Sequence, residues 1–257
     1  MAGIITSREN EKIKQVVRLL ASAAERRERG LFVAETPKLV LDLLTYGAVP
    51  EELYCTEKAL AAHPLLAQAA CPLYVIGEAV SQKLSAQKSP TGAYLVARLP
   101  AAAAGPFQKD GRYVCLDRVQ DPANVGAALR TAAAMGFTAA VLGDGCADPF
   151  SPKALRASMG AAVKLPLYRG EIGALCRQLA AAGVDVLAAA LEGACDIGTY
   201  RPRAGVAVLV GSEGQGLSPE ALSAATVRLR IPMAGNTESL NAAAAAAIFL
   251  WEFRGVN

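Results

Sequence analysis

The first hundred residues alternate between helical periodicity and short apolar runs. Apolar residues recur at helical spacing over 10–29, and a second helix is predicted from Pro37, a favourable first helical residue, to Tyr46. Between and after them come strand-like runs that read LFVAE, ELYCT, PLYVIG and AYLVARL. This alternation predicts a small α/β domain.

A change of composition at residues 100–111 ends this pattern. The segment PAAAAGPFQKDG has the Pro, Ala and Gly content of a linker. Beyond it, apolar runs such as YVCLDRV, AAVLG and AVLVG alternate with helices predicted over 124–135, 152–162, 172–182 and 239–253. Near-continuous apolar strands indicate a parallel sheet covered on both faces. We predict an α/β chain with a small domain at 1–100, a linker at 101–111 and a larger domain at 112–257.

Composition narrows the class of protein. Of 257 residues, 53% are hydrophobic and 19% charged, so disordered and collagen-like classes fit poorly. The first ten residues are followed at once by Glu11, Lys12 and Lys14, which leaves no apolar core for a signal peptide. The longest uncharged run is interrupted by prolines and does not resemble a membrane span. We expect a soluble cytoplasmic protein whose six cysteines, which form no CxxC pair, are free thiols.

The single histidine, His63, excludes several kinds of catalysis. Ser-His-Asp hydrolysis, Cys-His proteolysis and HExxH zinc sites all need a histidine in a suitable setting, and His63 lies in the loop-like segment AAHPLL. We expect no metal. The chemistry must then depend on other polar side chains or on a cofactor.

Basic side chains are concentrated at the start of the chain. Residues 1–30 carry seven basic and four acidic side chains, which accounts for the net charge of +3. A basic leading helix suits contacts with phosphate groups, although a solvated helix face explains the same pattern. The candidate residues for such contacts are Arg8, Lys12, Lys14, Arg18, Arg26 and Arg27.

Polar residues also crowd the ends of predicted strands, where open α/β sheets bind ligands. The first such segment, LDRVQDPANVGAALRTAAAMGF, places Asn124, Gly126 and Arg130 on a loop and the first helical turns. Asn124 is either a helix cap or a functional side chain. Arg130 is the only charge between Asp121 and Asp144, so we predict a buried arginine that needs an anionic partner.

Two further segments follow. In VAVLVGSEGQGLSPE, a buried strand opens into Gly211, Glu213 and Gly216. This segment is neither a P-loop nor a GxGxxG fingerprint, and by itself it fits a glycine-rich turn. The third segment, RIPMAGNTESLNAAAAAAIFLWE, places Ser239 and Asn241 at the start of the last helix, where Ser239 could simply be the N-cap.

Together the three segments resemble the motifs of the SpoU/TrmH family of RNA 2′-O-ribose methyltransferases, within the SPOUT superfamily. NVGAALR is similar to the family's Asn-x-Gly-x-x-x-Arg motif, LVGSEGQGL to its glycine and glutamate motif, and IPMAGNTESLNAAAA to its Ile-Pro-Met…Ser-Leu-Asn motif. With DPFSPKALRASMGA, the resemblance covers much of 112–254.

The N-terminal part resembles the family's small substrate-binding domain, which is related to a ribosomal-protein fold. The resemblance rests on NEKIKQVVRLLASAAERRERGLFVAE and SPTGAYLVA. The sequence departs from the family pattern at two places. Thr36 stands where a glycine is usual, and the final helix carries six alanines where relatives often have serine and valine.

The resemblance implies a trefoil-knotted C-terminal domain, S-adenosylmethionine as cofactor, a homodimer, and RNA as the partner of the basic leading helix. The residues that would hold the cofactor are Leu209, Gly211, Gly216, Ile231, Met233 and Leu240. The catalytic group would comprise Asn124, Arg130, Glu213, Ser239 and Asn241.

These residue types suit the implied reaction. The cofactor carries an electrophilic methyl group, so the protein must orient a ribose 2′-hydroxyl and help it lose a proton. Arg130 would anchor a phosphate and stabilise the developing alkoxide, because arginine stays protonated. Asn124 and Asn241 would position the substrate, Ser239 would hold the loop or the hydroxyl, and Glu213 would orient its neighbours.

The expected substrate is 23S rRNA, because an appended N-terminal domain suits a structured RNA. A transfer RNA is the nearer alternative. A different class is a non-catalytic RNA-binding protein, an assembly or resistance factor with a vestigial cofactor site, which the intact catalytic set argues against. A dehydrogenase-like protein is disfavoured because the first-turn glycine fingerprint is missing.

Overall fold

The computed structural model describes residues 3–85, 87, 89–191, 194–234 and 240–255. The chain divides into two compact units, Met1–Ala101 with Phe150–Lys164, and Ala102–Pro149 with Leu165–Asn257. None of the helices in the described ranges has the length and apolar character needed to cross a bilayer.

The first unit is built on a mixed sheet of five strands within the described residues. Its strands are β1 (Gly3–Ile5), β2 (Leu31–Glu35), β3 (Pro50–Cys55), β4 (Leu73–Ile76) and β5 (Ala93–Arg98), in the order β1-β4-β3-β5-β2. β1, β4 and β3 run parallel, and β5 is antiparallel to β3 and β2. Its helices are α1 (Glu11–Ala21), α2 (Ala23–Arg29), α3 (Pro37–Thr45), α4 (Glu57–Ala62) and α5 (Glu78–Leu84), with a 3-10 helix at Pro64–Gln68.

The helix predicted over 10–29 is divided at Ser22. Ser22 is extended, with φ of −121°, and its side chain accepts a hydrogen bond from the Glu25 amide at the start of α2. Its own amide donates to the Arg18 carbonyl at the end of α1. Serine competes with the helix for backbone hydrogen bonds, which explains why it ends one helix and begins the next.

Thr36, between β2 and α3, has φ of 91° and ψ of 136°. This region of backbone space is open to glycine and strained for a residue with a branched side chain. A glycine would adopt this conformation without strain. Thr36 offsets part of the strain by capping α3, since its hydroxyl accepts from the Leu39 amide at 3.3 Å.

The segment Phe150–Lys164 belongs to the first unit, whereas the sequence pattern predicts it within the domain at 112–257. It contains α7 (Pro152–Ser158) and α8 (Ala161–Lys164). Arg156 of α7 pairs with Glu35, a carboxylate only 3% exposed that also accepts from the Ser85 hydroxyl at 2.9 Å. The Phe150 ring lies 5.5 Å from that of Phe32. Compact units and functional domains are different divisions, so the predicted domain ranges remain a prediction.

The second unit is built on a sheet of seven strands, counted over the described residues. The strands are β6 (Arg112–Asp117), β7 (Ala139–Gly143), β8 (Leu167–Gly170), β9 (Asp185–Ala189), β10 (Cys195–Asp196), β11 (Val206–Gly211) and β12 (Val227–Arg230). Their order is β10-β12-β9-β11-β6-β7-β8, and every pair is parallel. The helices are α6 (Pro122–Ala134), α9 (Ile172–Ala181), α10 (Pro219–Ala224) and α11 (Ala242–Glu252).

Helices cover both faces of this parallel sheet. The buried cluster beneath α9 and α10 includes Cys115 of β6, Cys176 of α9 and Leu209 of β11. α6 and α11 pack on each other and against β6, β7 and β11. The predicted parallel α/β architecture is confirmed. Because the strands are parallel, the loops that follow β6, β9, β11 and β12 lie at one edge of the sheet.

Candidate active site

A cavity of about 440 Å³ opens at the carboxyl edge of the second unit's sheet. Its lining comes from the ends of β9, β11 and β12 and from α11. The predicted cofactor residues that line it are Gly211, Gly216, Ile231, Met233 and Leu240. Residues far apart in the sequence therefore meet at one site, as ligand sites at the ends of parallel strands require.

Leu209 is not among the residues that line this cavity, and its predicted contact with the cofactor through backbone groups stays a prediction. Its side chain is fully buried in the core beneath α9 and α10. Its position in β11 lies between Cys115 of β6 and Ala188 of β9, where its backbone belongs to the ladder. The cavity begins one residue later, at Val210.

The loop after β11 returns closely on itself. Ser212 and Gly216 exchange two backbone hydrogen bonds, of 2.9 and 3.2 Å, and Gly216 has φ of 64°. A Cβ at Gly211 would lie 2.3 Å from the backbone of Gly216, closer than any real contact. Two of the glycines in this segment therefore have definite steric roles, one for close approach and one for a left-handed turn.

Asp117, at the end of β6, holds the far end of this loop. Its carboxylate is only 1% exposed, and its Oδ2 accepts a hydrogen bond of 2.6 Å from the Ser218 amide. The next residue, Arg118, has φ of 53° and donates from Nη1 to the side-chain oxygen of Gln215 at 3.1 Å. A buried carboxylate on a backbone amide is a strong, charge-assisted contact. The loop from Gly211 to Ser218 is thus fastened at two points, to Asp117 at the end of β6 and to Arg118 directly after it.

Asn124 and Glu213 are in direct contact, because the Asn124 amide donates to the Glu213 carboxylate. Asn124 lies in the first turn of α6, but it is not the cap of that helix. The cap is Asp121, whose carboxylate accepts from the Ala123 amide at 2.9 Å. The capping alternative for Asn124 is therefore wrong, and its side chain links the first motif to the second.

Arg130 is exposed, so the prediction of a buried arginine is wrong. It lies six residues after Asn124 on α6, about 9 Å along the helix axis. It forms no hydrogen bond or ion pair with any residue that the structure describes. The apolar neighbours in the sequence fill the sheet side of α6, including the buried Leu129 and Ala132, and leave Arg130 on the outer side.

Asn241 is the N-cap of the last helix, because its side-chain oxygen accepts from the Ala244 amide at 2.7 Å. Its neighbours Leu240 and Ala242 both line the cavity, so Asn241 lies at the cavity's rim. Ser239 lies outside the described residues. The N-cap role considered for Ser239 therefore belongs to Asn241.

Two charged residues of the cavity were not identified from the sequence. Arg228 and Arg230 of β12 both line the cavity. Arg230 donates from Nε to Asp196 at 2.7 Å, and this hydrogen bond raises the pKa of Arg230. Arg228 has no ion pair in the described ranges. The available signal was the alternation in VRLR, which puts both arginines on the face opposite the buried Leu229.

Among the predicted RNA-contacting residues, Arg26 is corrected by the structure. It is only 4% exposed, and its Nη1 donates to the carbonyls of Leu19 and Leu20 at 2.5 and 3.2 Å. It thus satisfies the end of α1 from within α2. Arg26 is therefore a structural residue that RNA cannot reach.

The charged groups of the other basic residues in this region lie at the surface. Lys12 pairs with Glu52, and this hydrogen bond raises the pKa of Lys12. Lys14 pairs with Glu11 at 2.9 Å. Arg8 donates from Nε to the Ala79 carbonyl at 2.9 Å. The exposed Arg18 and Arg27 form no ion pair with a described residue.

Comparison with known proteins identifies the family. The SpoU rRNA Methylase family model matches residues 111–251, the part of the chain that contains the cavity. The chain belongs to this family. A second model, the MRM3-like substrate binding domain, matches residues 10–94.

Sequence and structural similarity to known proteins extends over nearly the whole chain. The 23S rRNA (guanosine(2553)-2′-O)-methyltransferase RlmP of Bacillus subtilis (strain 168) is 31% identical over 251 residues, which cover 98% of this chain and 99% of RlmP. An AdoMet-bound rRNA methyltransferase from Sinorhizobium meliloti superposes with a TM-score of 0.86 at 30% identity, covering 98% and 97% of the two chains. The SpoU methyltransferase AviRb from Streptomyces viridochromogenes, also with AdoMet, gives 0.86 at 26% identity, covering 95% and 97%.

These findings confirm the predicted family, the two-part α/β fold, the RNA 2′-O-methyltransferase class and S-adenosylmethionine as cofactor. In the described residues, no group of three or more His, Cys, Asp and Glu is placed to hold a metal ion.

Proposed function

We propose that this SpoU-family enzyme methylates a ribose 2′-hydroxyl of 23S rRNA, using S-adenosylmethionine bound in the cavity at the carboxyl edge of the parallel sheet. The proposal rests on the observation that residues from all three motifs lie at this cavity. Asn124 contacts Glu213 beside the cavity, Gly211 and Gly216 form its loop, and Asn241 begins the helix at its rim.

The residues present fit this cofactor. The close approach of Gly211 to Gly216 leaves a backbone cradle that any side chain at 211 would fill. Apolar walls from Leu217 and Phe249 suit an adenine ring. Arg228, which has no ion pair with a described residue, supplies a positive charge for the carboxylate of the methionine part. When bound, S-adenosylmethionine supplies the activated methyl group.

The chain's own task is to orient the 2′-hydroxyl and to stabilise its oxygen as the proton leaves. Arg130 presents a charged guanidinium to solvent with no described acceptor, so it is available to hold an RNA phosphate and stabilise the developing alkoxide. The proton passes to phosphate or water, because arginine stays protonated. Asn124 positions the substrate and is itself oriented by Glu213. Asn241 and Ser239 complete the proposed group.

Ribosomal RNA is favoured over transfer RNA by the whole-chain likeness to RlmP, whose name specifies 23S rRNA. The match to a substrate-binding domain over 10–94 supports the same target, because an added RNA-binding module suits a structured RNA. Within this domain, Arg18 and Arg27 are the strongest candidates for phosphate contacts, and Arg8, Lys12 and Lys14 are secondary ones. The cytoplasm, where such an RNA is made, is the proposed location.

A homodimer is part of the proposal, and the surface of α11 supports it. This helix reads AAAAAAIFLWE and is apolar on all sides, a pattern typical of a helix that is covered all round. One side packs on the sheet and α6 through Ala246, Phe249 and Leu250. The other side carries Ile248, which is 38% exposed, next to half-exposed alanines. A second copy of the chain would cover it.

The trefoil knot is also retained as a proposal. β11 lies between β9 and β6, so a late strand enters the middle of the sheet. α11, later still, packs on both β11 and α6. This order of insertion is consistent with a knotted C-terminal domain.

The test is transfer of labelled methyl from S-adenosylmethionine to total rRNA and, separately, to bulk tRNA, with the product identified as a 2′-O-methyl nucleoside. Label in 23S rRNA that is lost in Arg130→Ala supports the function. The matched control is Arg177→Ala, an exposed arginine on α9 that pairs with Glu171 away from the cavity.

Three other outcomes would count against the proposal. Label only in tRNA would overturn the substrate. Cofactor binding without transfer to either RNA would favour the non-catalytic binding protein. If Arg130→Lys kept most of the rate, the forked guanidinium would be unnecessary, and the role given to Arg130 would fall.

A further inference from the structure

The second unit has another cavity, of about 260 Å³, at the amino edge of its sheet. It lies where β6 and β11 begin, at Arg112 and Val206, beside the end of α11. The six residues of each strand separate this edge from the cofactor cavity by about 20 Å. The two cavities are therefore distinct sites.

Three guanidinium groups and one carboxylate line this cavity: Arg112, Arg201, Arg254 and Glu252. We call these four residues and Tyr200 the arginine pocket. The three arginines outnumber the one carboxylate, so the pocket carries a net positive charge. Glu252 neutralises Arg201 only weakly, because Glu252 Oε1 lies 3.6 Å from Arg201 Nη1. A concave site with several guanidiniums is the typical recognition site of a phosphate group.

Neutral groups hold Arg201 and Arg254 in place. Arg201 donates from Nη1 to the carbonyls of Gly198 and Tyr200, at 3.0 and 2.9 Å. Arg254 stacks on the Trp251 ring with its guanidinium carbon 3.5 Å from the ring centroid, and it also donates to the Trp251 carbonyl. These neutral partners fix the directions of the Arg201 and Arg254 guanidiniums, which lowers the cost of ordering them on binding.

The remaining groups of the pocket do not supply a competing anion. The guanidinium of Arg112 has no ion pair or hydrogen bond with a residue in the described ranges. Tyr200 donates its hydroxyl to Asp185 Oδ2 at 2.9 Å, and Asp185 is not among the described residues that line the pocket. Burial, with this hydrogen bond, raises the pKa of Tyr200 to about 12, so the phenol stays neutral.

We propose that the arginine pocket binds a backbone phosphate of the RNA substrate, on a nucleotide that lies about 20 Å from the one being methylated. This inference rests on the proposed function, because RNA is the polyanion that this enzyme would hold. A backbone contact fixes the register of the RNA without reading its sequence. It would add affinity equally for related and unrelated RNAs.

The experiment measures binding of a 23S rRNA transcript by filter retention, without cofactor, over a series of salt concentrations. The variants are Arg201→Gln, the double variant Arg201→Gln/Arg254→Gln, and the control Arg177→Gln, which lowers the net charge of the same unit outside the pocket. Arg201→Gln should weaken binding about tenfold and reduce the slope of log affinity against log salt by about 1. A 16S rRNA transcript should lose affinity by the same factor.

Two results would overturn the proposal. The first is an affinity and salt slope for Arg201→Gln equal to those of Arg177→Gln, since the effect would then be one of net charge alone. The second is a lower thermal midpoint of the double variant without RNA while RNA affinity is retained, which would assign these arginines to the stability of the fold. With either result, the proposed function would still hold if the wild-type enzyme methylates rRNA. A wild type that neither binds nor methylates 23S rRNA would remove both proposals.

Discussion

Gly211→Ala tests whether the close approach in the glycine-rich loop shapes the cofactor site. The added Cβ would lie 2.3 Å from both the carbonyl carbon and oxygen of Gly216, and 2.5 Å from the Leu217 nitrogen. All three atoms belong to the backbone. No side chain can turn aside to make room, so the loop itself must move.

The size of the movement follows from these distances. Ordinary contacts of a Cβ begin near 3.4 Å, so the two backbone segments must separate by roughly 1 Å. Overpacking of this kind costs about 1–3 kcal/mol. The loop is fastened at Ser218 by the buried Asp117 and at Gln215 by Arg118, so it cannot simply swing away. Because the cavity lining itself is displaced, we expect S-adenosylmethionine to bind at least about tenfold more weakly, which is about 1.4 kcal/mol.

Gly214→Ala is the matched control. It makes the same change in the same loop, but a Cβ there meets no atom within 4 Å, and its φ is not in the left-handed region. Isothermal titration of S-adenosylmethionine into both variants measures the affinities, and methyl transfer at saturating cofactor measures the rate. Gly214→Ala should match the wild type in both measurements. If Gly211→Ala bound the cofactor as well as Gly214→Ala does, the steric argument for this loop would be refuted.

Other expectations concern the loop anchor, the strained residue and the dimer surface. Asp117→Asn keeps an acceptor for the Ser218 amide but removes the negative charge. We therefore expect the KM for S-adenosylmethionine to rise about fivefold, with a smaller change in kcat. An unchanged KM would show that the charged contact does not position the loop. Thr36→Gly relieves backbone strain of about 1–3 kcal/mol, but greater entropy of the unfolded chain and the loss of the cap offset part of this gain. Chemical denaturation should therefore show a gain of about 1 kcal/mol in the free energy of unfolding of the first unit. A loss of stability would mean that Thr36 is not strained. Ile248→Glu places a charge on the exposed side of α11 and should convert a dimer into a monomer in size-exclusion chromatography with light scattering, whereas a dimer that persists would place the interface elsewhere.

Local signals in the sequence were sufficient for most elements. Strands of the second unit are near-continuous apolar runs, and this pattern specifies a buried parallel sheet whatever the details of packing. The polar segments after these strands were identified as the site because parallel strands bring their carboxyl ends to one edge. Glu213 lines one cavity, with Asn124 in contact with it and Asn241 at the rim, and the catalytic roles of all three stay predictions.

Errors arose where a side chain's environment depends on distant residues. Arg130 was expected to be buried because its sequence neighbours are apolar, yet those neighbours face the sheet and leave it exposed. Arg26 was expected to be exposed because it lies in a basic run, yet it turns inward to bond the end of α1. In a helix, adjacent residues point in directions about 100° apart, so the composition of a run does not determine the burial of one member.

By itself, the sequence determined the α/β class, the two-part organisation, the family and the cofactor. Each of these depends on local periodicity or on short motifs whose spacing is set along the chain. Only the tertiary structure decided that Leu209 belongs to the core, that Arg228 lines the cofactor cavity, that Asp117 anchors the loop, and that three arginines from separate segments form a second pocket. The physical reason is that burial and hydrogen bonding are set by whichever distant segments the fold brings into contact, and no local pattern records them.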